Sequence, residues 1–357
     1  TAMMLPIASG VLATLGGGVR DGHGADAEGG RGNDDRGFAT GLMLMVAYAC
    51  NVGGIATPVG TPPNLIAIGI IEKATGRSIS FFRWMLVGVP IAVAGFVIIY
   101  VVIRWLFPFA RMRLEGARER ILAERRELGA WKPAEKAACG AFGMAVFLWI
   151  LPGLATALLG PASPAASAVS DRLPESAVAL VAASLLFLVP VRRPGGGAAL
   201  TWKEASGIDW GTILLFGGGL SLGSLAFQTG LARSLGEGLL RSSGALPVAA
   251  LLLIAILMAD LLTEFMSNTA TANLLVPIFL SLGIEEGGRG ALTAAGVAIG
   301  CSLAFCLPVA TPPNAIVYAS GRVPLGRMIR TGILVDILCI AAAWCVLILW
   351  GSNLPAS

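Results

Sequence analysis

The sequence predicts an all-α polytopic membrane protein, and its composition and hydropathy are the observations behind this prediction. The chain has 357 residues, of which 56% are hydrophobic and only 13% are charged, and its mean hydropathy is +0.80. Such a composition is too apolar for the surface of an ordinary soluble domain. A helix needs about 20 apolar residues to cross roughly 30 Å of hydrocarbon. Candidate apolar segments lie at about 84–107, 137–158, 174–190, 210–229, 246–266, 269–283, 290–320 and 331–351.

Two apolar stretches contain nearly the same polar motif. Thr61-Pro62-Pro63-Asn64-Leu65-Ile66 in the first half returns as Thr311-Pro312-Pro313-Asn314-Ala315-Ile316 in the second half. Proline lacks a backbone donor and disfavours helical geometry in the residue before it, so each copy should break a helix. We expect new half-helices to begin after Pro63 and Pro313, and the preceding ones to end before Gly60 and Ala310. Irregular backbone at membrane depth is tolerated only where it is buried in protein or lines a watery cavity.

The two halves of the chain follow one plan. Segment 1–7 aligns with 272–278 through a shared proline, and each copy is followed by an apolar helix that leads to its Pro-Pro break. The first half carries an additional polar loop at about 17–37. In the second half, Ser267-Asn268-Thr269-Ala270-Thr271 directly precedes the aligned segment, and its Ser267-Asn268-Thr269 step should form the turn of a re-entrant hairpin. The matching residues of the first half would lie upstream of Thr1, so we expect the chain to be an N-terminally truncated piece of a longer protein.

The distribution of Lys and Arg predicts the topology. Loops rich in Lys and Arg stay in the cytoplasm, so the basic stretch 108–136 is assigned there. When the following and preceding spans alternate in direction, the loops on the cytoplasmic side contain most of the Lys and Arg. The second-half hairpin would enter from the outer side. The first-half hairpin, of which only the return arm (about 2–15) is retained, would enter from the cytoplasm. Opposite entry sides make the repeat inverted, which indicates a secondary transporter with its site at the paired breaks. A multi-pass protein of the cytoplasmic (inner) membrane is therefore predicted. Its expected divisions are 1–107 (first-repeat transport-domain elements), 108–136 (a cytoplasmic connector helix), 137–244 (scaffold-type spans) and 245–357 (second-repeat transport-domain elements).

Each predicted break combines groups suited to opposite charges. Free N–H groups and the positive dipole end of a starting half-helix favour an anion such as a carboxylate or sulfate. Unpaired carbonyls at the end of the preceding half-helix suit a small hard cation such as sodium. The hairpin tip Ser267-Asn268-Thr269 supplies further polar groups, although such clusters also serve as plain helix–helix contacts in membranes.

Few other residues have side chains that could take part in proton transfer, metal binding or thiol chemistry. Asp260, Glu264 and Asp336 are acids within apolar segments, and such carboxylates are candidates for a proton relay or for structural hydrogen bonds. None of the six cysteines forms a Cys-x-x-Cys pair, and the single histidine, His23, lies in a Gly-rich loop. Neither a resident metal nor a cofactor is predicted from these residues.

Three motifs give the chain a specific resemblance to a known family. The segments 53–64, 263–271 and 307–317 together resemble the divalent-anion/sodium symporter family, members of which carry succinate, malate, fumarate, citrate or sulfate. The resemblance implies a homodimer in which a mobile transport domain moves like an elevator against a scaffold. It also implies the substrate ligands Thr61, Asn268, Thr269, Thr311 and Pro312. One sodium ion would be held by Thr263, Ser267, Asn268 and the Ala310 carbonyl, and Gly60 would contribute to the other.

Sodium-coupled uptake of a small dianion is thus the predicted function, with Na⁺ as the coupling ion and no cofactor. A sodium-independent anion exchanger of the same fold is an alternative. A membrane hydrolase is disfavoured because the spans contain no histidine that could act as the base for a nucleophile. A structural membrane subunit would explain the hydrophobicity but not the duplicated breaks. The expected partners are the dianion, sodium ions, the lipid bilayer and a second copy of the chain, and no nucleic acid.

Overall fold

The architecture was taken from a computed structural model of the chain. Its description covers the continuous stretches 31–77, 79–107, 129–160, 163–191, 197–207, 246–285 and 288–351, together with single residues or short groups between them. Within these residues the structure is helical and forms no strand, apart from an isolated antiparallel bridge between Pro190 and Ala198. The prediction of an all-α membrane protein is therefore confirmed.

The helices are α1 (Arg31–Ile55), α2 (Pro62–Thr75), α3 (Phe81–Leu106), α4 (Pro133–Leu159), α5 (Pro164–Arg172), α6 (Glu175–Leu188), α7 (Trp202–Ala205), α8 (Val248–Thr263), α9 (Asn268–Glu285), α10 (Gly290–Gly300), α11 (Pro312–Ala319) and α12 (Leu325–Trp350), with a 3₁₀ turn at Pro58–Gly60.

Four of the described helices are long and apolar enough to cross a membrane: Gly37–Ile55, Phe81–Leu106, Pro133–Thr156 and Leu325–Trp350. Shorter apolar helices lie at α6, α8 and α10. The segment 290–320, predicted as one apolar stretch with a break, is divided between α10 and α11. The first hairpin arm (about 2–15), most of the connector 108–136 and most of the segment 210–229 lie outside the described residues.

Two predicted boundaries are wrong. The polar loop expected at 17–37 ends earlier, because α1 already begins at Arg31. The hairpin turn expected at Ser267-Asn268-Thr269 lies at 264–267 instead, because Ser267 Oγ accepts the N–H of Ala270 at 3.1 Å and caps α9 from Asn268 onward.

The chain divides into two compact units. The first comprises Thr1–Ile79, Leu86–Ala123 and Leu215–Ser357. At its centre α10 packs against α8, α9 and α2, and all eleven residues of α10 are buried. Gly300 allows a close backbone approach, since a Cβ there would lie 2.6 Å from the carbonyl oxygen of Ile256. In the same unit, α11 packs against α1, and α12 against α8 and α10.

The second unit comprises Ser80–Met85 and Glu124–Leu214. Here α4 packs against α5 and α6. Phe81 stacks on Trp149 with ring centroids 5.1 Å apart, and the Trp149 indole donates to the backbone carbonyl of Glu175 at 3.0 Å. The start of α4 is fixed by Glu135, whose carboxylate accepts the N–H of Lys132 at 2.9 Å.

Candidate functional site

The first helix break occupies residues 56–61, between the end of α1 and the start of α2. Pro58–Gly60 forms a 3₁₀ turn, in which the N–H of Gly60 donates to the Thr57 carbonyl at 3.1 Å. Thr61 follows in an extended conformation (φ −151°, ψ 143°). The turn folds residue 60 onto α1 so tightly that a Cβ there would collide with the carbonyl oxygen of Gly54. Only glycine fits this position without a backbone shift.

The second break is longer and occupies residues 301–311, between α10 and α11. Thr311 is again extended (φ −140°, ψ 150°), and its Oγ1 accepts the N–H of Asn314 at 3.3 Å. Ala310 and Thr311 are buried, whereas Pro312 is exposed. Both breaks expected from the Pro-Pro motifs are therefore present, and each ends at an extended threonine.

The prolines lie inside the new helices, and this corrects the prediction that the helices begin after them. Pro62 and Pro312 are the first helical residues, because a first-turn residue needs no intrahelical donor and its φ suits proline. Two of the first four positions of α2 and α11 therefore have no N–H to offer. The N–H of Asn314 is held by Thr311 Oγ1, and that of Ala315 by the Thr311 carbonyl. The expectation that these helix starts present free N–H groups to an anion is wrong for α11.

An asparagine clamps each break in the same way. Asn64 Nδ2 donates to the carbonyls of Gly54 and Thr57, at 3.0 and 2.9 Å. Asn314 Nδ2 donates to the carbonyls of Ala304 and Leu307, at 3.1 and 3.0 Å. In both copies the acceptors lie ten and seven positions upstream of the asparagine. The repeated sequence motif thus forms a repeated structure, and these carbonyls are fixed rather than free.

The two clamps differ in the oxygen of the asparagine. Asn314 Oδ1 accepts from Asn51 Nδ2 at 3.3 Å, and the same Nδ2 lies 3.1 Å from Thr311 Oγ1. Asn51 belongs to α1, so the helix that precedes the first break is bonded directly to the second break. Asn64 Oδ1 is buried and has no hydrogen-bond partner among the described residues.

The hairpin tip is joined to the second break through Thr263. Its hydroxyl lies 2.7 Å from Asn268 Oδ1 and 3.3 Å from the carbonyl oxygen of Cys301. Thr263 is fully buried, Asn268 and Thr269 are half-buried, and Ser267 is exposed. Asn268 and Thr269 are the first residues of α9, so their N–H groups have no partner within the helix. The positive end of α9 therefore lies beside the polar side chains of the tip.

Glu264 forms structural hydrogen bonds, as the sequence predicted, but the sequence did not predict their partners. Its Oε1 accepts the N–H of Cys306 at 2.7 Å and its Oε2 the N–H of Leu307 at 2.9 Å. The predicted structural hydrogen bonds exist, but they run to the second break rather than within the hairpin. The carboxylate thus replaces the helical partners that these two amides lose where the helix is interrupted.

The predicted site residues are placed as follows. Gly60 is exposed and Thr61 half-buried at the first break, and Ala310, Thr311 and Pro312 lie at the second. Thr263 ends α8, Ser267 lies in the hairpin turn, and Asn268 and Thr269 begin α9. Sequence reasoning missed Asn51, Asn64 and Asn314. Asn64 and Asn314 could have been identified because each directly follows a Pro-Pro pair. Asn51 has no counterpart in a sequence repeat, so no sequence pattern pointed to it.

Comparison with known proteins identifies the relationship. The family model described as "Sodium:sulfate symporter transmembrane region" matches residues 1–356. The "Sodium-dependent dicarboxylate transporter SdcS" of Staphylococcus saprophyticus is 35% identical over 305 residues, which cover 85% of this chain and 57% of that protein. The protein of the same name from Staphylococcus aureus is 33% identical over 303 residues, which cover 84% of this chain and 56% of that protein.

The chain therefore spans somewhat more than half the length of these relatives. Both are transporters rather than enzymes, which agrees with the prediction made from the helix breaks. The match of the family model over nearly the whole chain carries the assignment. The chain belongs to the sodium:sulfate symporter family.

Proposed function

We propose that the complete protein couples sodium entry to the transport of a small divalent anion across the cytoplasmic membrane. A C4-dicarboxylate such as succinate or malate is the first choice of substrate, ahead of citrate or sulfate, because the relatives are named as sodium-dependent dicarboxylate transporters. The proposal includes an inverted repeat, an elevator-type movement of the transport domain and a homodimer.

The observation that carries the proposal is the duplicated break with its asparagine clamp. Interrupted helices in matching places of two halves are typical of transporter sites, and both interruptions are built alike around Thr61 and Thr311. Asn51 and Thr263 then fasten α1 and the hairpin tip to the second break. A purely structural membrane subunit would not need two such polar interruptions within apolar helices.

Sodium is assigned to oxygen atoms beside the breaks. The set at the second break comprises the side chains of Thr263, Ser267 and Asn268 with the carbonyl of Ala310. Gly60 would offer its carbonyl to a second sodium ion at the first break. Neutral hydroxyl, amide and carbonyl oxygens suit a hard monovalent cation, and Thr263 already positions Asn268 Oδ1 at 2.7 Å.

The anion is assigned to Thr61, Asn268, Thr269, Thr311 and Pro312. Since prolines and bonded amides occupy the start of α11, the N–H donors of this site would come from the start of α9. The sequence contains no Lys or Arg at 37–72, 248–285 or 290–321. A dianion at this depth therefore depends on co-bound cations to offset its charge, which supports coupling to sodium.

Uptake of radiolabelled succinate by the full-length protein in proteoliposomes tests the proposal. An inward sodium gradient should stimulate uptake relative to choline, and Asn268→Ala should abolish that stimulation. Thr75→Ala, at the far end of α2, is the control and should transport like the parent. Uptake that is equal in sodium and choline would favour the exchanger, and an active Asn268→Ala variant would remove Asn268 from the site.

A further inference from the structure

Three side chains with metal-ligating atoms converge behind the second break. The ligand atoms of Glu264, Cys306 and Asp336 all lie within 4.8 Å of one another. Glu264 follows the end of α8, Cys306 lies in the break and Asp336 lies in α12. None of the three belongs to the substrate or sodium set proposed above.

A glycine brings α12 against the break at this point. A Cβ at Gly332 would lie 2.6 Å from the Cα of Cys306 and 2.6 Å from the carbonyl oxygen of Phe305. Asp336 is four residues further along α12 and therefore on the same helix face. The close contact at Gly332 consequently points Asp336 at Cys306.

One oxygen in this cluster has no partner. Asp336 Oδ2 lies 2.9 Å from Cys306 Sγ, but Asp336 Oδ1 is buried without any hydrogen bond among the described residues. Asp336 is only 5% exposed and Glu264 only 6%. An unpartnered acceptor on a buried carboxylate is costly unless a proton or a cation occupies the place beside it.

From this arrangement we infer that Glu264, Cys306 and Asp336 form a site for a borderline-soft divalent cation of the zinc and cadmium class. Zinc takes carboxylate oxygens at about 2.0–2.2 Å and thiolate sulfur at about 2.3 Å. Ligand atoms at these distances from one ion lie closer together than 4.8 Å, so the side chains would have to move inward when the ion binds. Both Glu264 oxygens already accept backbone N–H groups, yet a carboxylate oxygen has a second lone pair for the metal. Sulfur is a poor ligand for sodium, so Cys306 separates this site from the sodium set.

Charge favours a divalent occupant. Two carboxylates and a thiolate would place three negative charges in a region where the sequence has no Lys or Arg at 290–321 or 331–350. A divalent ion offsets two of these charges, and the Cys306 thiol releases its proton when it binds. The protein supplies three ligands, which leaves a fourth position for water.

Occupation of the site would join three elements of one unit. The metal would bridge the end of α8, the backbone of the second break and the middle of α12. It would hold Cys306 and Leu307 in the positions that Glu264 already gives them. Metal binding should therefore stabilise this region against unfolding, independently of any transported substrate.

Cadmium binding to the purified chain in detergent tests the inference. The parent should bind one equivalent of Cd²⁺ at this site with a thiolate-to-cadmium absorbance band, and Zn²⁺ should displace it. Cys306→Ser keeps a hydroxyl beside Asp336 but removes the soft ligand, so this band should disappear. Asp336→Asn should weaken Cd²⁺ binding by at least about tenfold. Cys345→Ser, which alters an exposed cysteine of α12, is the control and should leave the band unchanged.

Several results of these measurements would contradict the proposed metal site. A parent chain with no cadmium–thiolate band, or a band that survives Cys306→Ser, overturns the site. Loss of the band in Cys345→Ser but not in Cys306→Ser would assign the metal to the surface thiol. Thermal unfolding of each variant without metal shows whether the fold is retained. If Cys306→Ser does not fold, the Asp336→Asn variant provides the test. A Cd²⁺ affinity of Asp336→Asn equal to that of the parent also overturns the site.

Discussion

Asn51 Nδ2 lies 3.1 Å from Thr311 Oγ1, although 260 positions separate the two residues in the chain. The same amide is 3.3 Å from Asn314 Oδ1 and 3.3 Å from the Ala304 carbonyl. One buried side chain of α1 thus serves the threonine, the asparagine and the backbone of the second break. The halves of the chain are joined at this point by polar contacts rather than by apolar packing alone.

Asn51→Asp should be more damaging than Asn51→Ala. Alanine removes the donor and leaves Thr311 and Asn314 without this hydrogen-bond partner. The loss should lower the free energy of unfolding by about 1–3 kcal/mol. Aspartate introduces an acceptor opposite the acceptors already there, so repulsion and desolvation add to the loss. Thermal unfolding in detergent should place the parent first, the alanine variant second and the aspartate variant last. A more stable aspartate variant would contradict the assignment of Asn51 as the donor.

Asn314→Ala should destabilise the chain more than Asn64→Ala does. Each asparagine donates to two carbonyls, but Asn314 also accepts from Asn51, whereas Asn64 Oδ1 has no described partner. The difference should be about one hydrogen bond, or roughly 1 kcal/mol. Unfolding temperatures of the two variants, measured side by side, provide the check. Equal or reversed effects would show that the two clamps are not energetically distinct in this way.

Thr263→Val and Thr271→Val should behave differently. Both threonines are fully buried near the hairpin tip, and valine keeps their shape. The Thr263 hydroxyl bonds Asn268 Oδ1, while the Thr271 hydroxyl has no described partner. Thr263→Val should raise the sodium concentration needed for half-maximal uptake by the full-length protein by about tenfold, equal to about 1.4 kcal/mol. Thr271→Val should leave the sodium dependence unchanged. The same shift in both variants would remove Thr263 from the sodium set.

Gly60→Ala should be harmful and Gly53→Ala tolerated. A Cβ at position 60 would collide with the Gly54 carbonyl oxygen, whereas a Cβ at Gly53 meets nothing within 4 Å. Overpacking of this kind typically costs 1–3 kcal/mol. Gly53 lies inside α1, where alanine is favoured over glycine by up to about 1 kcal/mol. Unfolding temperature is again the measurement, and a neutral Gly60→Ala would show that the first break can widen freely.

The fold could be predicted from the sequence where a local rule determines the structure. Apolar segments of sufficient length predicted α3, α4 and α12, and the steric limits of Pro-Pro predicted both breaks. The exact start of α2 and α11 was wrong because proline disfavours a helix interior but is favoured in its first turn. Sequence patterns alone do not show which of these two effects prevails at a given proline.

The site was less predictable because its key contacts are long-range. Thr263, Asn268 and Thr311 were identified from their motifs, but their partners come from elsewhere in the chain. Asn51 reaches the second break, and Glu264 reaches the amides of Cys306 and Leu307 across 42 and 43 positions. Such pairs depend on how α1, α8 and α10 pack together, which periodicity does not reveal. The divisions of the chain and the inverted relation of its halves stay predictions.

The asparagine clamps have a consequence for the thermodynamics of ligand capture. A loose loop of irregular backbone would lose about 1–2 kcal/mol of conformational entropy for each residue that a ligand had to order. Residues 54–57 and 304–307 are already tethered by Asn64 and Asn314 before any ligand arrives. Under the proposed function, a ligand would meet these segments already preorganised, and more of the gross interaction energy would be expressed as affinity.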